Sequence, residues 1–101
     1  MVYITLICAA GMSTNLLVKK MKDYVQEKGI EAEIKAMSID SFSEYEGKTD
    51  VLMLGPQIGY RLKEVKEQYG DQYKVSVIDM STYGMLDGKK VVETALSQLK
   101  D

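Results

Sequence analysis

The stretch Cys8-Ala9-Ala10-Gly11-Met12-Ser13-Thr14 places a thiol, a glycine and two hydroxyls directly after an apolar run. Gly11 and the small alanines allow successive backbone N–H groups to turn toward one point, and such a point favours an anion. The hydroxyls of Ser13 and Thr14 can add donors, or one of them can cap a helix that starts near Asn15. The partial positive charge at that helix's N-terminus favours a thiolate at the sulfur. Cys8 is therefore the candidate nucleophile, set in a loop that cradles a phosphate-like group. A lone cysteine in a small domain is commonly a buried, inert apolar residue instead. The junction between an apolar strand and a Gly/Ser/Thr cluster argues for reactivity, and predicts a thiol that faces solvent.

What surrounds this loop limits its chemistry. The chain has 101 residues, one cysteine and no histidine. A single cysteine excludes an intrachain disulfide, and the lack of histidine removes Cys-His dyads and the commonest metal ligand. Lys and Arg number 13 against 15 Asp and Glu, a net charge of −2 without a basic cluster, so the footprint of a nucleic-acid binder is missing. No stretch combines a basic start with an apolar run long enough for secretion or for a membrane span, so a cytosolic protein is expected. One domain, 1–101, of this length buries roughly 60 to 70% of its unfolded surface without metal or disulfide staples.

The elements that must position Cys8 can be read from periodicity. Val2 to Ile7 is apolar on both faces apart from Thr5, as a central strand covered above and below requires. From Asn15 to Lys28, Leu17, Val18, Met21, Tyr24 and Val25 recur at helical spacing, and Gly29 ends the pattern. Glu31 to Ala36 alternates charged and apolar side chains, which suits an edge strand. Met37 to Thr49 allows one short helix around Phe42. Val51 to Leu54 is a second central strand, ended by Gly55 and Pro56. Gln57 to Tyr69 reads as one amphipathic helix with Ile58, Leu62, Val65 and Tyr69 on a face, closed by Gly70. Tyr73 to Ile78 alternates as the other edge strand. A loop from Asp79 to Gly88 then leads to a terminal helix carrying Val91, Val92, Ala95, Leu96 and Leu99.

Alternation of strand and helix implies a parallel sheet, and two central plus two edge strands give the order 2-1-3-4. The expected fold is a three-layer α/β/α sandwich, flavodoxin-like and resembling that of low-molecular-weight phosphatases. Right-handed connections leave a crevice where the winding reverses, between the carboxyl ends of strands one and three. Cys8 and Gly55-Pro56 flank it.

Two thiol-phosphate chemistries use a cysteine in such a place. Low-molecular-weight tyrosine phosphatases and the related arsenate reductases have Cys, five residues, then Arg, whose guanidinium forks onto the phosphoryl oxygens. Here that position is Thr14. An arginine aimed at a transferring phosphoryl group contributes about a thousand- to a hundred-thousand-fold in rate, about 4 to 7 kcal/mol, which neutral hydroxyls do not fully replace. Those families also place a general-acid Asp beside a Pro, whereas Pro56 lies between Gly55 and Gln57. A stand-alone thiol phosphatase or arsenate-reductase-like enzyme is therefore the weaker alternative.

The sequence resembles, over nearly its whole length, the enzyme IIB subunits of the bacterial sugar phosphotransferase system, of the lactose/cellobiose/chitobiose class. Its signatures are ITLICAAGMSTNLLV, DVLMLGPQIGY and STYGMLDGKKVVETAL. The resemblance implies that Cys8 accepts a phosphoryl group from a phosphohistidine of enzyme IIA, becomes phosphocysteine, and passes the group to a sugar held by the membrane transporter, enzyme IIC. Backbone amides of Ala10, Gly11, Met12, Ser13, Thr14 and Asn15, with the hydroxyls of Ser13 and Thr14, would hold the phosphoryl oxygens. No metal or other cofactor is implied. The protein would be cytoplasmic, with no membrane span of its own, and would visit the inner face of the membrane through enzyme IIC.

The turn Gly55-Pro56-Gln57 and the Tyr83-Gly84 loop would rim the same site and meet the partners. A Gly-Pro pair also terminates strands, and a loop tyrosine also simply packs. Met12 and Met85 would be exposed near the site if they do not fill core gaps, giving an adaptable apolar surface for two successive partners.

Overall fold

Four strands alternate with helices along the chain: β1 (Val2–Cys8), α1 (Met12–Lys28), β2 (Ala32–Ser38), α2 (Ile39–Ser43), β3 (Val51–Leu54), a 3-10 helix (Pro56–Arg61), α3 (Leu62–Tyr69), β4 (Lys74–Val77), α4 (Met80–Gly84) and α5 (Gly88–Leu99). The computed structural model describes residues 1–8, 12–45 and 47–100, and of Met12 and Ser13 the backbone only. All strand pairs are parallel and the order is β2-β1-β3-β4, as the pattern of central and edge strands requires.

The period of two along the central strands divides the core. Ile4 and Leu6 of β1 and Val51 and Met53 of β3 point to one face, where Leu17, Val18, Met21 and Val25 of α1 meet Val91, Val92 and Ala95 of α5. Ile7, Leu52 and Leu54 point to the other, against Phe42, Ile58 and Val65. Phe42 there also packs edge-on against Tyr69 and Tyr73, with ring centroids 5.1 and 5.9 Å away. Thr5 interrupts the apolar run of β1, and its buried hydroxyl is paired with that of Thr49 at 2.9 Å.

Several boundaries differ from the sequence expectation. Helix α1 begins at Met12 rather than near Asn15, so Ser13 and Thr14 lie in its first turn and neither is its cap. The apolar spacing misses this turn because its buried residue Thr14 is polar, with its hydroxyl bonded to that of Tyr83. The predicted helix over 57–69 is two pieces: Pro56 opens a 3-10 helix, Ile58 leaves helical geometry (φ −117°, ψ 22°), and α3 starts only at Leu62. That break turns Ile58 into the core, where it is buried.

Strand β2 starts at Ala32 rather than Glu31 and runs on to Ser38 rather than Ala36, since Met37 and Ser38 pair with Ile7 and Cys8. Strand β4 is shorter at both ends than the predicted 73–78. The expected loop from Asp79 to Gly88 contains the short helix α4. Asp79 caps it by accepting from the amides of Ser81 and Thr82, and Asp87 caps α5 by accepting from that of Lys90. A five-residue helix is too short to show periodicity.

Gly29 ends α1 at φ +68°, the left-handed conformation that favours glycine. The matching position after α4 is Leu86, at φ 54°. There the Leu86 amide donates to the Tyr83 carbonyl and the Asp87 amide to that of Thr82, a Schellman closure. Left-handed backbone costs a residue with a Cβ about 1 to 2 kcal/mol, which packing of Leu86 against the core offsets.

Candidate functional site

Cys8 is the last residue of β1, at the carboxyl end of a central strand. It pairs with Ser38 on one side. On the other, Gly55 donates its N–H to the Ile7 carbonyl at 2.8 Å, which carries the β1–β3 ladder one step past Leu54 and sets the 55–57 turn beside the cysteine. The predicted crevice residues are thus neighbours because the ladder itself holds them together.

The thiol does not face solvent as expected. Cys8 is 5% exposed, and its Sγ donates a weak hydrogen bond to the Met37 carbonyl oxygen at 3.9 Å. The extension of β2 to Ser38 brings that carbonyl alongside, a contact invisible in the pattern of Glu31 to Ala36.

Ala9, Ala10 and Gly11 lie outside the described residues, as do the side chains of Met12 and Ser13. The backbone of Met12, Ser13, Thr14 and Asn15 forms the first turn of α1, whose N–H groups have no intrahelical partner and carry the positive end of the helix dipole. This turn is an anion-favouring feature immediately after the strand that ends in Cys8. Thr14 is 1% exposed, and its hydroxyl is hydrogen-bonded to the Tyr83 hydroxyl at 2.8 Å.

Four of the predicted rim residues come together. Pro56, Gln57, Tyr83 and Gly84, joined by Met80, line a shallow and largely apolar cavity of about 250 Å³. Tyr83 is buried, so its ring packs as well as lining the cavity. Met85 is exposed rather than filling a core gap; Met80, which the sequence reading did not single out, is equally so, while Met53 is core. The signal for Met80 was available: Asp79 before a Ser/Thr pair is a helix-cap pattern that places Met80 at the start of a surface turn.

Charge near the cavity is modest. The Asp79 carboxylate is held below the ordinary range by its bond from the Ser81 hydroxyl and by the Thr82 and Ser81 amides, with Lys90 adding attraction. Arg61 and Glu64, bonded at 3.0 Å on the helix surface, lower the glutamate and raise the arginine. Among the described residues no group of three or more His, Cys, Asp or Glu side chains could hold a metal ion. No helix among them is long and apolar enough to cross a membrane.

Comparison with known proteins agrees with this architecture. Residues 3–94 match the family model of the lactose/cellobiose-specific IIB subunit of the phosphotransferase system. The chain is 50% identical over 96 residues to the oligo-beta-mannoside-specific EIIB component of Bacillus subtilis (strain 168), covering 93% of this chain and 92% of the relative. It is 45% identical over 98 residues to the galactose-specific EIIB component of Lactococcus lactis subsp. cremoris (strain MG1363), with 91% of each covered. The solution structure of the cellobiose-specific IIB component from Borrelia burgdorferi superposes with a TM-score of 0.79 at 33% identity, over 96% of this chain and 90% of that one. The lactose-specific IIB domain from Streptococcus pneumoniae shares the fold, with a TM-score of 0.84 at 14% identity and 96% of each chain covered. The chain belongs to the lactose/cellobiose-specific IIB family of the phosphotransferase system and is a phosphoryl carrier in sugar phosphotransfer.

Proposed function

We propose that Cys8 is the residue that carries the phosphoryl group. The thiolate attacks the phosphorus of a phosphohistidine on enzyme IIA; the P–N bond breaks, an S–P bond forms, and the thiol proton has left to solvent. A hydroxyl of a sugar bound by enzyme IIC then attacks the same phosphorus, the S–P bond breaks, an O–P bond forms, and the hydroxyl proton is released. The observation that carries this reading is the position of Cys8, at the end of a central strand and just before the first turn of α1. The N–H groups of that turn, which have no intrahelical partner, suit the oxygens of a bound phosphoryl group.

The loop from Ala10 to Asn15 binds the group in this account, and the turn at Gly55, Pro56 and Gln57 with Tyr83 and Gly84 forms the rim that both partners approach. Exposed Met80 and Met85 supply adaptable apolar contact. The sugar is of the β-linked class, in keeping with relatives named for oligo-beta-mannoside and cellobiose. The protein works in the cytoplasm and reaches the membrane only through enzyme IIC.

Intact-mass measurement tests this after incubation with phosphoenolpyruvate, the general phosphotransferase proteins and a IIA subunit. One phosphoryl group should appear, mapped to Cys8. The Cys8→Ser variant should keep the fold and acquire none, because an alcohol is a far weaker nucleophile than a thiol. Labelling of the variant would place the acceptor elsewhere.

A further inference from the structure

We infer that Tyr83 is a positioning residue for phosphoryl binding, its phenol donating to the Thr14 hydroxyl so that the Thr14 proton points at the phosphoryl oxygens. This rests on the reading of Cys8 as the carrier.

The two hydroxyls are 69 residues apart in sequence and 2.8 Å apart in space. Each has one proton to give, so the bond runs in one direction at a time. In the free protein either can donate. Once an anion occupies the loop, the Thr14 proton has a stronger acceptor, and the arrangement that uses both protons is Tyr83 to Thr14 to phosphoryl. A phenol is the better donor and an aliphatic alcohol the better acceptor, which favours the same direction. The environment is dry, with Thr14 1% and Tyr83 7% exposed, and polarisation along a hydrogen-bonded chain is strongest there.

Tyr83 is also held in place at both its backbone and its ring. Its N–H donates to the Asp79 carbonyl at 2.9 Å and its carbonyl accepts from Leu86 at 3.0 Å, while its ring belongs to the core cluster of α1 and α5. The phenol oxygen therefore has a fixed address, and through it the first turn of α1 is tied to α4.

The test measures the rate of Cys8 phosphorylation from a phosphorylated IIA donor in wild type, Tyr83→Phe, Thr14→Val and the double variant, with thermal midpoints for each. Tyr83→Phe keeps the ring and should label about 2- to 10-fold more slowly, the span of one ordinary hydrogen bond. The double variant should label no more slowly than Thr14→Val alone, since Tyr83 acts only through Thr14. Thr14→Ser keeps a hydroxyl and should keep the sensitivity to Tyr83→Phe, which preserves the test if Thr14→Val fails to fold. Wild-type rates for Tyr83→Phe, or losses that multiply in the double variant, would overturn the inference in favour of simple packing. Failure of wild type to label at Cys8 would instead overturn the carrier reading, before any variant is compared.

Discussion

Gly88 stands against the backbone of Met21 so closely that a Cβ built on it would lie 2.6 Å from the Met21 amide nitrogen and 2.6 Å from the Lys20 carbonyl carbon. The first residue of α5 thus touches the middle of α1 main chain to main chain. A helix backbone cannot yield as a side-chain tip can. Gly88→Ala should destabilise the protein by about 1 to 3 kcal/mol, as overpacking does, and lower the melting temperature by about 4 to 8 °C for each kcal/mol. A melting curve that coincides with wild type would show that the two helices can move apart freely.

The hydroxyls of Thr5 and Thr49 are hydrogen-bonded to each other inside the fold, and they are unequally buried, 1% against 8% exposed. Thr49→Val leaves the Thr5 hydroxyl buried without a partner and should cost about 1 to 3 kcal/mol. Replacing both with valine removes the stranded group, so the double variant should be more stable than Thr49→Val alone. Urea titrations of the single and double variants read this; a double variant that loses the sum of the singles would disprove the coupling.

Asp79 caps α4 with a carboxylate held below its ordinary range, first by the Ser81 hydroxyl and then by the Thr82 amide. Because the folded-state value is depressed, the stabilisation is complete above the ordinary carboxylate range and fades as pH falls through that range toward the folded value. Protection of the α4 amides against hydrogen exchange, taken relative to the intrinsic rate at each pH, should therefore fall on acidification. Asp79→Asn still caps but does not titrate, and should flatten that dependence; an unchanged acid profile would assign it to another group.

A carrier must keep its phosphoryl group until the acceptor arrives. Thr14 stands where the thiol phosphatases have arginine, no histidine is present, and the sulfur is nearly enclosed. On the proposed reading of Cys8 as the carrier, backbone amides and hydroxyls would contribute charge-assisted bonds of about 1.5 to 3 kcal/mol each, holding the dianion without activating water. Phosphorylated protein on its own should lose its label slowly near neutral pH, and quickly once membranes with the cognate transporter and sugar are added. Rapid release of inorganic phosphate without them would favour the phosphatase reading.

The sheet order was legible because burial on both faces and burial on one face leave different marks: continuous apolar runs at Val2 to Ile7 and Val51 to Leu54, alternation at Glu31 to Ala36 and Tyr73 to Ile78. The capped turn at Asp79 and the 3-10 opening at Pro56 were less legible. Each spans about two turns or less, and periodicity cannot emerge from so few residues. Near the site, the order of Cys8, Gly11, Ser13 and Thr14 along the chain was enough to propose a nucleophile and an anion-favouring loop. That the 55–57 turn lies beside it followed from the crossover rule alone.

What the sequence by itself determined is therefore the layered α/β architecture and the place of Cys8 between the first strand and the first helix, since both depend on local order: hydrophobic period, and small residues placed directly between a strand and a helix. What only the tertiary structure decided is how that thiol and its neighbours are enclosed. The recess of Cys8 against the Met37 carbonyl, the Thr14–Tyr83 bond, the backbone contact at Gly88 and the left-handed Leu86 all join residues through space or set a local strain against distant packing. None of these has a sequence period, because each depends on where two separately formed elements meet.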